Sequence, residues 1–416
     1  LTSDTDVYAQ WDEGTVSIEG ITVKYGSITA KLETAFAAGR FAYTVKIPDF
    51  VNQANDVIEA AVTGATVTYS KLSPVKTKAA EIETSIAGTK GTSASVTVAG
   101  NAALSTIEFT IKAPGNSAVS KTYRVTPSKE SKSMATGGTV TYVRTGSGNT
   151  ATWDEVHVFK SGGDLNITRA PAAASARVLV VAGGGGGGGN SYQSTGGGGG
   201  AGGMIEKTSY TLTAKNYEVT VGAGGSCGSG DKSDVGGELG NGKNGENSKF
   251  DTVETIGGGG GGSHSNSYAN TGNSGGSGGG GKRDSGTGSQ GAPGKGTSGQ
   301  GYDGGNGGGS ANDNDAYSSG GGGGADGKGG NAPGPHKGGN GGPGKNSDIT
   351  GTSTGYAGGG AGGKKNNTPT ASHGGGAASA GVDGTGGGGA GGGINSEVNG
   401  YKGGSGIVVV RFPFKE

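Results

Sequence analysis

Arg177-Val178-Leu179-Val180-Val181-Ala182 runs straight into uninterrupted glycine at 183–189. Its apolar, β-branched residues are continuous rather than alternating, the pattern of a strand covered on both faces. The glycine run beyond it has no side chains to bury. Of the 101 glycines in 416 residues only 15 precede Gly183, and further runs stand at 196–200, 257–262, 320–324 and 386–389. A second apolar run, Ile407-Val408-Val409-Val410, closes the glycine region. The two runs are expected in one small sheet that ties the ends of that region together, with 209–221 and 248–256 extending or flanking it.

Two states compete for 183–406. Fixing each backbone costs about 1–2 kcal/mol, and more for glycine, with little apolar burial in return, so disorder is the default. An ordered array must instead pair nearly every N–H and C=O. Left-handed extended helices of the polyproline II type have three residues per turn and no internal hydrogen bonds, so their amides face neighbours. Without Cβ atoms such helices can pack side by side. The expectation is therefore a bundle of polyglycine II helices within 183–406, with the sparse non-glycine residues at turns and outer faces. Strict Gly-X-Y periodicity is absent and only 11 prolines occur, which rules out a collagen triple helix.

The preceding sequence reads as ordinary β protein. Apolar residues alternate at Val16, Ile18, Ile21, Val23; Phe41, Tyr43, Val45, Ile47; Ile107, Phe109, Ile111; and Tyr123, Val125. Period two gives strands with one buried face, and Gly26, Gly39, Gly64, Gly100 and Pro114-Gly115 punctuate them as turns. A sandwich of short antiparallel strands is the result. Residues 76–86 (KTKAAEIETSI) read as one or two helical turns or as a polar edge. The fold class is mainly β. Its organisation is a terminal strand at 1–13, a β-sandwich at 14–130, a polar linker at 131–138, and a glycine-rich domain at 139–416 with sheet from 139–182, 209–221, 248–256 and 406–412.

Three segments resemble known families. LTSDTDVYAQWDE at 1–13, with Tyr8-Ala9-Gln10-Trp11, resembles the closing segment of the Listeria-Bacteroides surface repeat. Residues 14–130 look like a bacterial cadherin-like or Ig-like sandwich, with IEFTI (107–111) and KTYRV (121–125) as its last two strands. The run VLVVA (178–182) into polyglycine, then YEVTVGAGG (217–225), then GGSGIVVVRF (403–412) is similar, in that order, to the bacterial and phage glycine-rich domain family. These resemblances imply a surface or tail-associated structural protein rather than a reaction. The architecture is also similar to the polyglycine bundles of some phage adhesins and glycine-rich receptor ectodomains, rigid scaffolds whose loops carry recognition.

Thirty-three basic and 33 acidic residues give a formal net charge of +0, which offers no long-range field for nucleic acid, anionic lipid or acidic substrate. It also removes the self-repulsion that keeps copies apart. The single cysteine, Cys227, excludes an internal disulfide framework and any multi-cysteine metal site. No apolar run is long enough for a membrane helix. The chain starts at Leu1 within what reads as the end of a unit, so a processed product of a longer precursor, outside the cell, is expected.

Catalytic signals are lacking. His157, His264, His336 and His373 show no paired metal-ligand spacing. Strings such as Gly-x-Ser-x-Gly and Gly-x-Gly-x-x-Gly arise by chance in this composition, and no helix can follow them. Gly-Lys at 242–243, 294–295, 327–328 and 344–345 is never followed by Ser or Thr, so no phosphate loop is completed. No enzyme and no cofactor are therefore expected. Asp303, Asp313 and Asp315 supply hard oxygen ligands and form a weak calcium candidate. Tyr302, Asn312, Asp313 and Tyr317 are candidates for loop recognition, rigid aromatic and adaptable polar groups being favoured at binding surfaces. Thr5, Val7, Tyr8 and Trp11 could donate a strand to an exposed edge.

The function these readings favour is an extracellular bacterial structural protein that self-associates into a filament, tube or surface layer as a homo-oligomer or polymer. The alternative is a surface or phage-type adhesin presenting loops to a host glycan or protein, and the lesser alternative is ice binding.

Overall fold

The computed structural model describes residues 15–37, 39–51, 57–69, 76–79, 81–84, 94–99, 106–113, 116–148, 150–190, 195–230, 240–263, 271–282, 291–308, 318–334, 337–364, 367–393 and 399–415. It is all-β, with no helix among those residues. Two compact units divide it: residues 1–133 with 144–154 and 414–416, and residues 134–143 with 155–413. Thr5, Val7, Tyr8 and Trp11 lie outside the described residues.

In the first unit the alternating residues become alternating burial. Val23, Val45, Ile47, Ile107, Phe109, Ile111, Tyr123 and Val125 are all fully buried, while Phe41 remains 40% exposed and packs a tilted ring 5.3 Å from that of Tyr123. Three small sheets result. One pairs Thr15–Ser17 with Thr66–Tyr69 and Lys76–Ala79. A second runs Ala42–Pro48, Asn116–Glu130, Ile107–Ala113, Glu81–Thr84, and a third Ile28–Ala30, Gly20–Tyr25, Val57–Thr63, Ala94–Ala99. The described residues of 76–86 are thus strand rather than helix. Lys76–Ala79 and Glu81–Thr84 join different sheets because each finds an antiparallel partner, Thr66–Tyr69 and Ile107–Ala113 respectively. The expectation of short antiparallel strands fails at one place: Asn116–Glu130 is 15 residues long and pairs parallel with Ala42–Pro48.

In the second unit the two apolar runs pair as expected. Ala176–Val181 lies antiparallel to Ile407–Pro413, with Val178 opposite Val410 and Val181 opposite Ile407. Their sheet has the order Thr139–Thr145, Thr152–Phe159, Ile407–Pro413, Ala176–Val181, Met204–Tyr210. Leu179, Val181, Ile407 and Val409 pack with Ala201, Ala325, Ile349, Tyr356 and Ala357. Val178, Val180, Val408 and Val410 are equally buried on the opposite face. Beyond Tyr210, the strands within 209–221 and 248–256 flank this sheet rather than extend it. Asn216–Thr220, Ser248–Phe250 and Val253–Thr255 belong to a second five-stranded sheet with Ala135–Thr136 and Gly163–Ile167, which packs against the first.

The stretch 131–138, read as a linker, contributes the strand Ala135–Thr136 to that second sheet. Buried Glu155 and His157 hold it there. The Glu155 carboxylate accepts the amides of Met134 (2.7 Å) and Ala135 (3.1 Å) and meets His157 Nε2 at 2.8 Å, while His157 Nδ1 meets the Gly137 carbonyl at 2.7 Å. Both side chains are fully buried, so these bonds replace their lost hydration.

Candidate recognition surfaces of the glycine array

Outside the strands of the second unit, the glycine-rich segments are joined to one another by backbone hydrogen bonds. Their bonding has a period of three. Gly183, Gly186 and Gly189 donate to Glu246, Lys243 and Gly240 at 3.0, 2.9 and 3.4 Å. Gly184 and Gly187 donate to Gly404 and Tyr401, and Gly185 and Gly188 to Gly200 and Gly197. The carbonyls repeat the pattern: Gly258 and Gly261 donate to Gly183 and Gly186, Gly225 and Gly228 to Gly184 and Gly187, Gly389 and Gly392 to Gly185 and Gly188. Residues 183–189 therefore have six neighbouring segments, three as donor and three as acceptor. Residues 196–203 have six as well, donating toward 386–392, 256–262 and 320–323 and accepting from 185–188, 277–280 and 360–363.

The sequence folds this way because only glycine allows such approach. A Cβ on Gly184 would stand 2.1 Å from the Gly387 carbonyl oxygen, and one on Gly199 would stand 2.1 Å from that of Gly185. Neither residue has a left-handed φ, so the requirement is space rather than conformation. Both central segments are buried throughout, and their backbone polar groups are satisfied by the surrounding segments.

At the margin of the array asparagine takes the place of a neighbour. Asn241, Asn244 and Asn247, three residues apart, use their side-chain oxygens to accept the amides of Ser263 (2.8 Å), Gly260 (3.0 Å) and Gly257 (2.9 Å). Asn331, Asn340 and Asn367 do the same for Asn306, Thr370 and Gly338. Sequence reading missed this role, although the spacing in NGKNGEN at 241–247 signals it.

The hydrogen-bond register places Asn190 and Thr195, Gly230 and Gly240, Ser263 and Thr271, Lys282 and Gly291, Gly308 and Ser318, Lys364 and Asn367, and Gly393 and Asn399 at one end of the array. That end is remote from the sheets. It buries polar side chains, Asn190, Thr195, Ser263, Lys282, Ser318 and Ser319. The opposite end carries the sheet strands, the turn at 297–301 and the hairpin of Lys345–Ser347 with Thr354–Tyr356.

Of the sequence candidates, Tyr302 and Asp303 lie at the sheet end, whereas Asn312, Asp313, Asp315 and Tyr317 fall outside the described residues. Tyr302 is 45% exposed. The Asp303 carboxylate accepts the Gly296 amide at 3.0 Å and faces Lys295 at 3.1 Å and Lys328 at 3.8 Å. Its pKa is lowered, first by the Gly296 amide and then by the neighbouring lysines, and its charge is spent on them. Among the described residues no three His, Cys, Asp or Glu side chains converge on one point as a metal site would require. His373 sits in a turn with its Nδ1 2.8 Å from the Ser372 hydroxyl, and Cys227 is exposed.

A family model described as "Glycine-rich domain" matches residues 160–413, more than half of the sequence. The chain belongs to the glycine-rich domain family. The match begins near the strand Gly163–Ile167 and ends with Ile407–Pro413, so the family's unit comprises the glycine array together with most of the strands that close it. Comparison with curated proteins finds no match to this glycine-rich protein.

Proposed function

We propose that the glycine-rich domain is a bundle of polyglycine II helices serving as a rigid, uncharged pedestal outside a bacterial cell, and that it displays the segments joining its helices for recognition of a surface glycan or protein. The observation that carries this reading is the three-residue period with six bonded neighbours around 183–189 and 196–203, the bonding a three-fold extended helix offers. A framework held by crossed backbone bonds in every lateral direction resists shear without needing a greasy core. Segments that begin and end at one end of it vary at no cost to that framework. The role is recognition rather than catalysis.

The test replaces 312–317, including Asn312, Asp313 and Tyr317, with a Gly-Ser linker and measures binding of the full chain to bacterial and host cells or a glycan array. Loss of binding with an unchanged melting curve supports display. Unchanged binding removes these residues from the recognition role.

A second reading, self-association into a filament or layer, is favoured by the edge strand Thr139–Thr145, which is mostly exposed and leaves Val140 37% exposed, and by the zero net charge. Polymers that grow with concentration under the electron microscope support it. A monomer at all concentrations excludes it.

A further inference from the structure

The geometry points to a binding site for an acidic polysaccharide in the groove between the strand Met204–Tyr210 and the turn at 297–301, at the sheet end of the array. Two adjoining hollows of 450 and 280 Å³ share Ser298, Gly299, Gln300 and Lys345. The first extends to Glu206, Lys207 and Asn346, the second to Tyr302, Asp303 and Lys328. Through these shared residues they form one continuous trough, open to solvent.

Its walls are fixed before any ligand arrives. The Gln300 side chain accepts the Ile256 amide at 2.9 Å and donates to the Glu254 carbonyl at 3.3 Å, while its own carbonyl accepts the Met204 amide at 3.1 Å. The Thr297 carbonyl accepts the amides of Gln300 and Gly301, closing the turn, and Asp303 ties its far side to Gly296. A pre-ordered wall spares the entropy of ordering on binding.

The charges select the ligand. Both acids in the trough are already paired: Glu206 faces Arg177 at 2.5 Å, a guanidinium it shares with Asp348, and Asp303 faces Lys295 and Lys328. Lys207 and Lys345 have no acidic partner among the described residues, and Lys345 lies where the two hollows meet. The trough thus carries a surplus of positive charge on a protein whose net charge is zero. At one end Tyr302 offers an exposed ring, on whose face the C–H groups of a sugar can stack, and the Ser298 hydroxyl and Asn346 amide supply neutral hydrogen bonds. Isolated cations beside one aromatic ring match spaced carboxylates on a sugar chain. Nucleic acid would call for a continuous basic stripe with several stacking rings.

The test titrates the full chain with an oligo-uronate prepared from alginate, with neutral dextran and inorganic phosphate as comparisons, by calorimetry at low and high salt. Saturable binding of the uronate that weakens with salt, with no heat from dextran or phosphate at the same concentration, is expected. Lys345→Gln should weaken it about fivefold and Tyr302→Ala about tenfold. Lys402→Gln, at a different hollow, should leave it unchanged. Both target side chains are exposed, so melting temperatures should match the parent chain. No uronate binding, equal binding of phosphate, or affinity indifferent to both substitutions would overturn the assignment. None of these residues belongs to 312–317, so the two recognition tests fail or succeed independently.

Discussion

The Asn244 side-chain oxygen accepts the buried amide of Gly260 at 3.0 Å, in the position where an interior segment would find a neighbour's carbonyl. The array therefore ends laterally by substituting side-chain amides for peptide groups. Asn244→Ala should leave the Gly260 amide without an acceptor and cost about 1–3 kcal/mol. Denaturant titration measures the loss. Hydrogen exchange at Gly260 should accelerate selectively, and uniform protection across 257–263 in the variant would contradict the role given to Asn244.

Gly199→Ala places a methyl 2.1 Å from the backbone oxygen of Gly185, where no flexible side chain can give way. A destabilisation of about 3 kcal/mol or more is expected. Gly240→Ala meets only Ser229, at 3.8 Å, and should stay within about 0.5 kcal/mol of the parent. Equal effects of the two substitutions in urea unfolding would show that close approach is not what requires glycine.

Glu155→Gln keeps the size but offers one acceptor where three donor or ring-nitrogen contacts converge, and turns an N–H₂ toward buried partners. Removing the charge from this fully buried pair should cost about 3–5 kcal/mol. The change is read from the unfolding midpoint, with exchange at Met134 and Ala135 rising first.

Val408→Ala and Val409→Ala, neighbours on opposite faces of one strand, should each cost about 2 kcal/mol, because both side chains are fully buried. A strand with one wet face would respond at alternate positions only. Thermal unfolding of the two variants decides between these patterns.

Asp348 is held below the ordinary carboxylate range, first by its hydrogen bond from Arg177 at 2.6 Å and then by that residue's charge. A lowered folded pKa contributes stability above the unfolded carboxylate pKa and loses it as pH falls through the lower, folded value. The melting temperature should therefore decline on acidification, and Asp348→Asn should make that decline shallower. The carboxylate is well exposed, so the effect is small. An acid limb identical in both proteins would rule the pair out as a contributor.

The pairing of 178–181 with 407–410 was legible because a continuous β-branched run has one stable use, a strand covered on both faces. Alternation at 107–111 and 121–125 likewise predicted which side chains are buried, since period two allows one arrangement of faces. The destination of 216–220 and 248–255 was not legible. An alternating strand specifies its buried face but carries no address for the sheet it joins, and the length of the parallel pair formed by Asn116–Glu130 is a matter of partner choice for the same reason.

At the trough, Tyr302 stood out in sequence as an isolated aromatic, whereas Lys345, Gln300 and Lys207 gave no signal, being distant in the chain and individually ordinary. The sequence by itself determined that any order in the glycine runs of 183–406 has to come from main-chain groups, since glycine provides nothing else to bury or bond. Tertiary structure alone decided which segments are neighbours: one glycine amide is chemically identical to the next, so only the closing sheets, the turns and the asparagine edges select the partner that each amide finds.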